Sequence, residues 1–488
     1  MREKASCLAM IFAMAASAAR AEPATPEGAA QMLDRYVAIF GRGIAEKGIV
    51  TVDPHGDAYK VIWHIRRALE AAPLPTVQFQ MGDFAYDITP GPGGAWRMTA
   101  DAFPSIAFDM PTDAGRMSGT IGLTGINIDS AYDPAQPVPF TSRSIIGDVL
   151  ADLRILEAGK VIPFHIEESG VQVDLKQTKS DVGADLALHQ TLGTIIERLS
   201  VPIETQQHAK VDMTFTVGGA TLDGTVDRFR TEQAVAAWRF FLAHKDEPTN
   251  EASVAAVKTI LAAGLPGWQK MNLTTELSDL AFDMSLAKAH MKALSETIDL
   301  PGFTEVATGG FGLKIDEFNL HSPFLPQGFE SLLPLSLNFD IAVKLTGLDQ
   351  IAKIALADPD FLIRKSVSDD GQAKIQQIFK NSEPTFTLSP GYLRLPLIDI
   401  AYQGEVKVSP GDFLTGQIVV SADTLDKVIE FVRPFVVFSP DVAKAVLVID
   451  AAKGMAKAGP NGRLNWYIKM TGPPRQLTVN DVPIPIDK

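Results

Sequence analysis

Segments in which apolar and polar residues alternate recur through most of this chain, and they constrain its fold more than any other feature. The clearest segment runs from Asn338 to Leu345, where Phe339, Ile341 and Val343 are separated by less apolar residues. Successive side chains of a strand point to opposite faces, so such a segment forms a strand with one apolar face. Because antiparallel sheets commonly bury one face and expose the other, we predict an α+β fold. Its main element is an elongated, predominantly antiparallel β-sheet with interspersed amphipathic helices.

Several of these strands are followed by a capping residue and a helical pattern. Thr346 is a candidate N-cap for a helix that carries Leu348, Ile351 and Ala355. Similar patterns predict helices over 22–48, 192–199, 235–242 and, behind Asp423, 425–432, and a hairpin over 211–226. The helices begin at uneven intervals, which argues against a solenoid with a fixed repeat.

The N-terminus has the features of a secretory signal peptide. A short charged stretch at residues 2–4 precedes an apolar run from Ala5 to Ala18, and Ala19-Arg20-Ala21 forms a small-x-small cleavage site. We therefore predict a signal peptide over 1–21, cleaved after Ala21, and a periplasmic location. The only cysteine, Cys7, lies inside this segment, so we expect a mature chain without disulfides or thiolate metal sites.

The charge of the chain argues against nucleic acid as a partner. The formal net charge is −14, and it becomes about −16 without the signal segment, which holds three basic residues and one acidic residue. An acidic surface repels phosphate backbones. No later segment approaches 18 uninterrupted apolar residues, so we also expect no transmembrane span in the mature chain.

A polar segment near the middle of the chain is the best candidate for a domain boundary. Seven polar residues surround a proline over 244–251. We therefore predict an N-terminal α+β half over 22–243 and a C-terminal α+β half over 252–488.

Two strand-to-helix segments, Val343 to Asp349 and Val419 to Leu425, carry a resemblance to known families. Together with the signal segment, they resemble the uncharacterised DUF2125 family of alphaproteobacterial envelope proteins and, more distantly, the DUF945 (YdgA-like) family. The closing segment Leu477 to Pro483 is similar to the TVNG ending of the second family, with Asp481 in place of glycine, which leaves its turn type open. Neither family brings an established activity or catalytic residue. AsmA-like envelope proteins share the elongated-sheet pattern, which suggests lipid handling by analogy.

Catalytic and metal-binding motifs were sought among the polar residues. The eight histidines show no metal-ligand spacing, and no G-x-S-x-G motif is present. We interpret Asp53 to Asp57 as a polar turn, the glycine-rich segment Thr308 to Lys314 as a turn or bulge, and Glu167-Glu168 as solvated surface. We therefore predict no catalytic, metal or cofactor-binding residue and no cofactor, and ligand-binding residues stay unassigned.

Two apolar clusters can be either core or the lining of a groove. They comprise Trp238, Phe240, Phe241 and Leu242, and Phe431, Phe435, Val436, Val437 and Phe438. The leading hypothesis is a non-enzymatic periplasmic protein that binds an apolar ligand or lipid in envelope maintenance. The alternatives are a hydrolase whose carboxylate and histidine site is assembled from distant segments, and a scaffold that binds another envelope protein.

Overall fold

The predicted α+β class is confirmed by the computed structural model, which is 57% strand and 26% helix. It describes residues 24–71, 78–91, 95–112, 115–132, 141–157, 159–202, 210–244, 251–325, 328–364, 366–409, 413–423, 425–437, 440–459, 462–472 and 476–485. The predicted signal peptide over 1–21 lies outside these residues. Among them, no helix combines the length and apolar character that a membrane crossing requires.

The helices fall into three groups along the chain. The first group precedes or interrupts the first strands: α1 Pro26–Phe40, α2 Gly43–Glu46 and α3 Ile65–Ala71. The middle group comprises α4 Thr231–His244, α5 Glu251–Gly264, α6 Leu348–Ala357, α7 Phe361–Arg364 and α8 Asp369–Ser382. The last group is α9 Asp426–Val432 and α10 Pro440–Met455.

The strands form one hydrogen-bonded antiparallel network. The first twelve are β1 Val50–His55, β2 Ala58–Trp63, β3 Gln78–Met81, β4 Phe84–Pro90, β5 Trp96–Ala100, β6 Ile106–Thr112, β7 Gly115–Thr124, β8 Asn127–Tyr132, β9 Thr141–Glu157, β10 Lys160–Lys179, β11 Ala184–Leu192 and β12 Ile195–Pro202. The others are β13 Lys210–Val217, β14 Gly219–Phe229, β15 Lys270–Met284, β16 Ala287–Pro301, β17 Val306–His321, β18 Leu335–Thr346, β19 Thr385–Leu395, β20 Ile398–Ser409, β21 Phe413–Ala422, β22 Lys457–Ala458, β23 Leu464–Thr471, β24 Gln476–Val479 and β25 Val482–Ile484.

One route through the network, which we call the main path, runs β1-β2-β4-β5-β8-β9-β10-β11-β14-β15. It continues in chain order from β16 to β21 and ends with β23-β24-β25. A side branch, β3-β6-β7, joins the other half of β9. A second branch, β12-β13, connects β10 to the far half of β15.

One face of the main path is predominantly apolar. Residues directly opposed on antiparallel strands project to the same face, and the register aligns what we call the apolar row: Ile88, Met98, Ser130, Ser142, Leu175, Leu188, Gly224, Leu273, Ile298, Phe311, Ile341, Leu388, Gly404, Ile418, Ile468 and Val479. The sheet can therefore bury apolar surface on one side only.

The other face carries a second aligned set, which we call the polar row. It consists of Lys60, Asp87, Thr99, Asp129, Arg143, Asp174, His189, Asp223, Thr274, Thr297, Gly312 and Asp340. Each of these residues except Lys60 lies one position from a member of the apolar row, so the alternation seen in single segments continues across the sheet.

Helices cover the apolar face at both ends of the main path. Near β1, Ala29 and Met32 of α1 pack in one buried cluster with Val61 and Ile88, which are 0% exposed. Near β23, Leu425 and Ile429 pack against the strands in a second cluster of buried residues, which also contains Trp466. Between these clusters the apolar row is mostly half-buried, and Phe311 remains exposed.

The predicted helix over 192–199 is wrong, because β12 occupies Ile195–Pro202 and pairs with β10 and β13. The Gly193 N–H donates to the Ser169 carbonyl, and a Cβ on Gly193 would come within 2.8 Å of that oxygen. Glycine therefore permits an abrupt turn at the end of β11, and the β-branched Ile195 and Ile196 favour a strand after it.

The predicted hairpin over 211–226 is right in its strands but wrong in their pairing. Both β13 and β14 pair with β15, β13 through 281–284 and β14 through 270–278. No pairing between β13 and β14 occurs in the described part of the chain. Long-range pairing thus replaces the local hairpin that the two glycines suggested.

Two predicted caps are also wrong. Gly347, with φ 85°, takes the N-cap position of α6, while the Thr346 hydroxyl donates to the Ser382 carbonyl. Asp423 does not cap α9: its carboxylate accepts a hydrogen bond from the Asp399 N–H at 3.0 Å. The helix predicted over 22–48 is present as α1 and α2, separated at Gly41.

The sheet continues past the predicted domain boundary. Residues 245–250 lie outside the described part, but β14 and β15 on either side of them pair over nine registered residues. The helices α4 and α5, which flank the segment, are also in contact. The division into halves over 22–243 and 252–488 stays a prediction, and the two would share one hydrogen-bonded sheet.

We expect Ile88→Ala to lower the free energy of unfolding by about 2–5 kcal/mol, because Ile88 is fully buried beneath α1 and truncation leaves a cavity. The matched control is Ile145→Ala, which removes the same atoms from a strand position that is 38% exposed. Urea denaturation followed by circular dichroism measures both variants. Equal losses would contradict the assignment of the core to the interface between α1 and the sheet.

Candidate functional site

A cavity of about 600 Å³ lies among the middle helices, at one end of the strands. Its walls come from α4, α5, α6, α7 and α8 and from the segments that flank β14, β15 and β16. The lining residues are Phe229, Arg230, Gln233, Ala234, Ala237, Ile260, Leu261, Gly264, Leu265, Gly267, Trp268, Phe303, Ile351, Ala352, Ala355, Leu356, Phe361, Val367 and Ile375. All but Arg230 and Gln233 present carbon surface or backbone, apart from the indole N–H of Trp268.

The floor of this cavity is held together by close backbone contacts. A Cβ on Gly302 would come within 1.7 Å of the Trp268 carbonyl, so only glycine lets the two segments approach this closely. The indole of Trp268 donates to the Leu300 carbonyl at 3.2 Å. These contacts fix the Trp268 ring at the ends of β15 and β16.

Asp358 fixes the helices on the opposite wall. Its carboxylate accepts hydrogen bonds from the backbone N–H groups of Asp360 and Ser368 and from the Ser368 hydroxyl. The hydroxyl bond is the largest factor that lowers the pKa of Asp358. The Lys258 ammonium of α5 also donates to the Asp358 carbonyl, which ties α5 to the end of α6.

Arg230 is the only ionisable residue in the described lining of this cavity. Its Nε is buried and has no hydrogen-bond partner, and its Nη1 makes a long contact of 3.4 Å with the Val182 carbonyl. A buried donor without a partner is costly. The walls of the cavity are therefore almost entirely apolar, and the unpaired donor of Arg230 is buried in the protein beside them.

Besides the cavity, a groove of about 670 Å³ lies on the polar face of the sheet. It gathers Asp129, Asp174, His189 and Asp223 from four different strands. Each carboxylate is engaged by a neighbouring side chain: Arg97 binds Asp129 at 2.6 Å, Arg143 lies 3.8 Å from Asp174, and His189 contacts Asp223 at 2.7 Å. No carboxylate here is left as an isolated acid or base.

Acidic and histidine residues also lie outside the cavity and the groove. Within the described ranges, no group of three or more His, Cys, Asp or Glu side chains is arranged to hold a metal ion. The turn predicted at Asp53 to Asp57 is confined to residues 56–57, because Asp53 to His55 belong to β1, where His55 pairs with Asp87. The turn or bulge predicted at Thr308 to Lys314 is wrong: the segment is regular strand in β17, and cross-strand pairing with β18 overrides its glycines.

The most connected histidine is His165 on β10. Its Nδ1 lies 2.7 Å from Asp152 and its Nε2 lies 2.9 Å from Glu167, which also contacts Arg198 at 3.2 Å. Hydrogen bonds that the protonated imidazole donates to Glu167, the larger factor, and to Asp152 raise the pKa of His165 above its usual value. The cluster is partly exposed, and its residues line neither the cavity among the middle helices nor the groove on the polar face.

The described members of the two apolar clusters noted in the sequence do not line the cavity. Trp238 and Phe241 are 46% and 58% exposed, and Phe240 stacks on His244 at 4.1 Å. The cavity uses another side of α4, through Gln233, Ala234 and Ala237. Phe431 lies in α9, far along the chain from that lining; the side chains of Leu242, Phe435, Val437 and Phe438 lie outside the described residues.

Sequence reasoning missed the cavity because its walls come from short helices and strand ends separated by almost 150 residues. Small residues at Ala234, Ala237 and Gly264 were the available signal, since small residues let helices approach a ligand or each other. Comparison with protein-family models, curated proteins and solved structures finds no match to this chain.

We expect the pKa of His165 to fall when Glu167→Gln removes the first of its two carboxylate partners. A raised pKa means that the pairing stabilises the fold fully below about pH 6.5, the unfolded value, and that this contribution is lost as pH rises through the folded pKa. NMR titration of the imidazole measures the change. The control is Glu168→Gln, whose side chain lies on the other face of β10; an equal shift in both variants would refute the pairing.

Proposed function

We propose that this protein is exported to the periplasm and binds an apolar ligand such as a lipid in the cavity among the middle helices. The single observation that carries the proposal is a cavity of about 600 Å³ with almost entirely apolar walls. Volumes of roughly 300–1,000 Å³ with apolar walls and a few polar groups are typical of small-molecule sites.

The apolar face of the sheet supports the same function. Beyond the helix-covered ends of the apolar row, Phe311 is 38% exposed, and Leu300 and Phe386 on the same face are 46% and 37% exposed. Exposed apolar patches on a protein commonly mark a binding surface. A cavity beside such a face provides both a site and a surface along which an apolar molecule can be held.

The proposed location rests on the sequence. The segment over 1–21 matches a signal peptide, and the resemblance to DUF2125 and DUF945 envelope proteins points to the same compartment. Handling a poorly soluble molecule between membranes is a task suited to such a location, and it would account for a role in envelope maintenance without catalysis.

A hydrolase is the second candidate, and the groove on the polar face is the observation in its favour. It brings together His189, Asp129, Asp174 and Asp223, as a site assembled from distant segments requires. Its carboxylates are already paired with Arg97, Arg143 and His189, however. Paired carboxylates on a solvated face are poor general acids or bases, so binding is favoured over catalysis.

The proposal predicts that Ala237→Trp empties the protein of its ligand. Ala237 lines the cavity on α4, and an indole there would fill part of the space. Mass spectrometry of organic extracts from the protein purified from its own periplasm should find a stoichiometric apolar molecule in the wild type and little in this variant. The matched control, Ala236→Trp, adds the same ring at an exposed position of the same helix and should retain the ligand.

Two results would contradict this function. One is a wild-type protein whose extract contains nothing beyond that of a control periplasmic protein. The other is a molecule retained equally by the Ala237→Trp and Ala236→Trp variants, which would place its site elsewhere.

A further inference from the structure

We infer that the ligand enters the helix-lined cavity as one hydrocarbon chain of about 16 to 20 carbons, and that its polar head stays outside in water. This inference rests on the proposed function and adds the chemical class of the ligand. It makes the length of the chain, and not the charge of the head, the property that the protein selects.

The walls of the cavity offer a polar head almost no partner. The Trp268 indole and the Arg230 guanidinium donate to backbone carbonyls, and the Nε of Arg230 is buried in the protein. Gln233 approaches Gly264 with carbon atoms, because its Cβ and Cγ lie 3.3 and 3.8 Å from the place that a Cβ on Gly264 would take. Burying a polar or charged head without hydrogen-bond partners is unfavourable. The part of the ligand inside the cavity is therefore hydrocarbon.

The cavity is open to solvent where the head can remain hydrated. Leu261 of α5 and Phe303, between β16 and β17, both line the cavity and are 38% and 44% exposed. The wall formed by α6 is more deeply buried, since Ala352 is 7% exposed. A chain that passes between Leu261 and Phe303 thus directs its methyl end toward α6 and leaves its head in water.

The volume of the cavity sets the length of the chain. If a methylene group occupies about the 30 Å³ that a water molecule takes in the liquid, a cavity of about 600 Å³ holds about 20 carbon atoms. One chain of about 16 to 20 carbons fills this space. A lipid that inserts two such chains exceeds it, so only one chain enters.

Small residues on three helices keep this volume open. Ala237 of α4, Gly264 of α5 and Ala355 of α6 all line the cavity. Because protein interiors are closely packed, a larger side chain at one of these positions would occupy space that the chain otherwise fills. Ala355 suits a test best, since Ala357, two residues later on α6, is exposed and outside the described lining.

The test measures affinity against chain length on the delipidated mature protein, residues 22–488. Fatty acids and alkyl phosphocholines of 8 to 24 carbons compete with diphenylhexatriene, a fluorescent hydrocarbon that has no polar head. We expect each added methylene to tighten binding about fourfold in both series, because each one buries further apolar surface. The gain should stop at about 16 to 20 carbons, when the cavity is full.

Two variants of α6 should move this limit in opposite directions. Ala355→Leu adds three carbons to the wall and should shorten the limiting chain by about three carbons. Ile351→Ala removes three carbons from the same wall and should lengthen the limiting chain by about as many. The matched control Ala357→Leu should leave the limit unchanged. Binding of chains shorter than the limit reports that each variant is still folded.

The outcomes separate this inference from the proposed function. A gain that continues to 24 carbons, a limit that moves in neither Ala355→Leu nor Ile351→Ala, or an affinity set by the head would overturn the single-chain assignment. Binding of diphenylhexatriene would in those cases leave an apolar-ligand site in place. If neither diphenylhexatriene nor any chain binds to the wild type, both the proposed function and this inference fail.

Discussion

The cross-strand register of one very wide antiparallel sheet is the constraint on which the rest of the structure depends. It places Leu175, Leu188 and Ile298 on one face and Asp174, His189 and Asp223 on the other. Slipping any strand by one residue would exchange the faces, so the register is fixed by the burial of one of them. The helices then serve to bury this face, because apolar surface on one side of the sheet is unfavourable in contact with water.

That cover is complete at the ends of the sheet and incomplete between them. The first and last helices make buried clusters around Val61 and Trp466. The middle helices pack at the strand ends instead, and they enclose the cavity beside Trp268 and Phe303. Helices thus leave the middle of the apolar face uncovered, where Phe311 is exposed, and they enclose a cavity at the strand ends. The proposed ligand site follows from this incomplete covering of the sheet.

Local patterns predicted many of the individual strands and the helices α1, α2, α4, α6 and α9, but they missed α3, α5, α7, α8 and α10 and did not show how the strands meet. The alternation around Phe339 and Val343 identified β18, and the helical pattern over 22–48 identified α1. The helix predicted over 192–199 was wrong, because the spacing of its apolar residues suits either a helix or a strand. Pairing with the distant strands β10 and β13 makes it a strand. The turn left open at Asp481 is now defined: Asn480 and Asp481 have φ of 53° and 72°, as in a type I′ hairpin. The cavity could not be predicted, since it depends on how distant helices pack.

Photo-crosslinking with a diazirine fatty acid tests the central claim most directly, because it maps where an apolar molecule sits on the folded protein. The account predicts labelled peptides from the cavity walls, around Arg230, Leu261 and Trp268, with weaker labelling along the apolar row. Labelling concentrated on the polar row, around Asp129 and His189, or spread evenly over the surface, would contradict it.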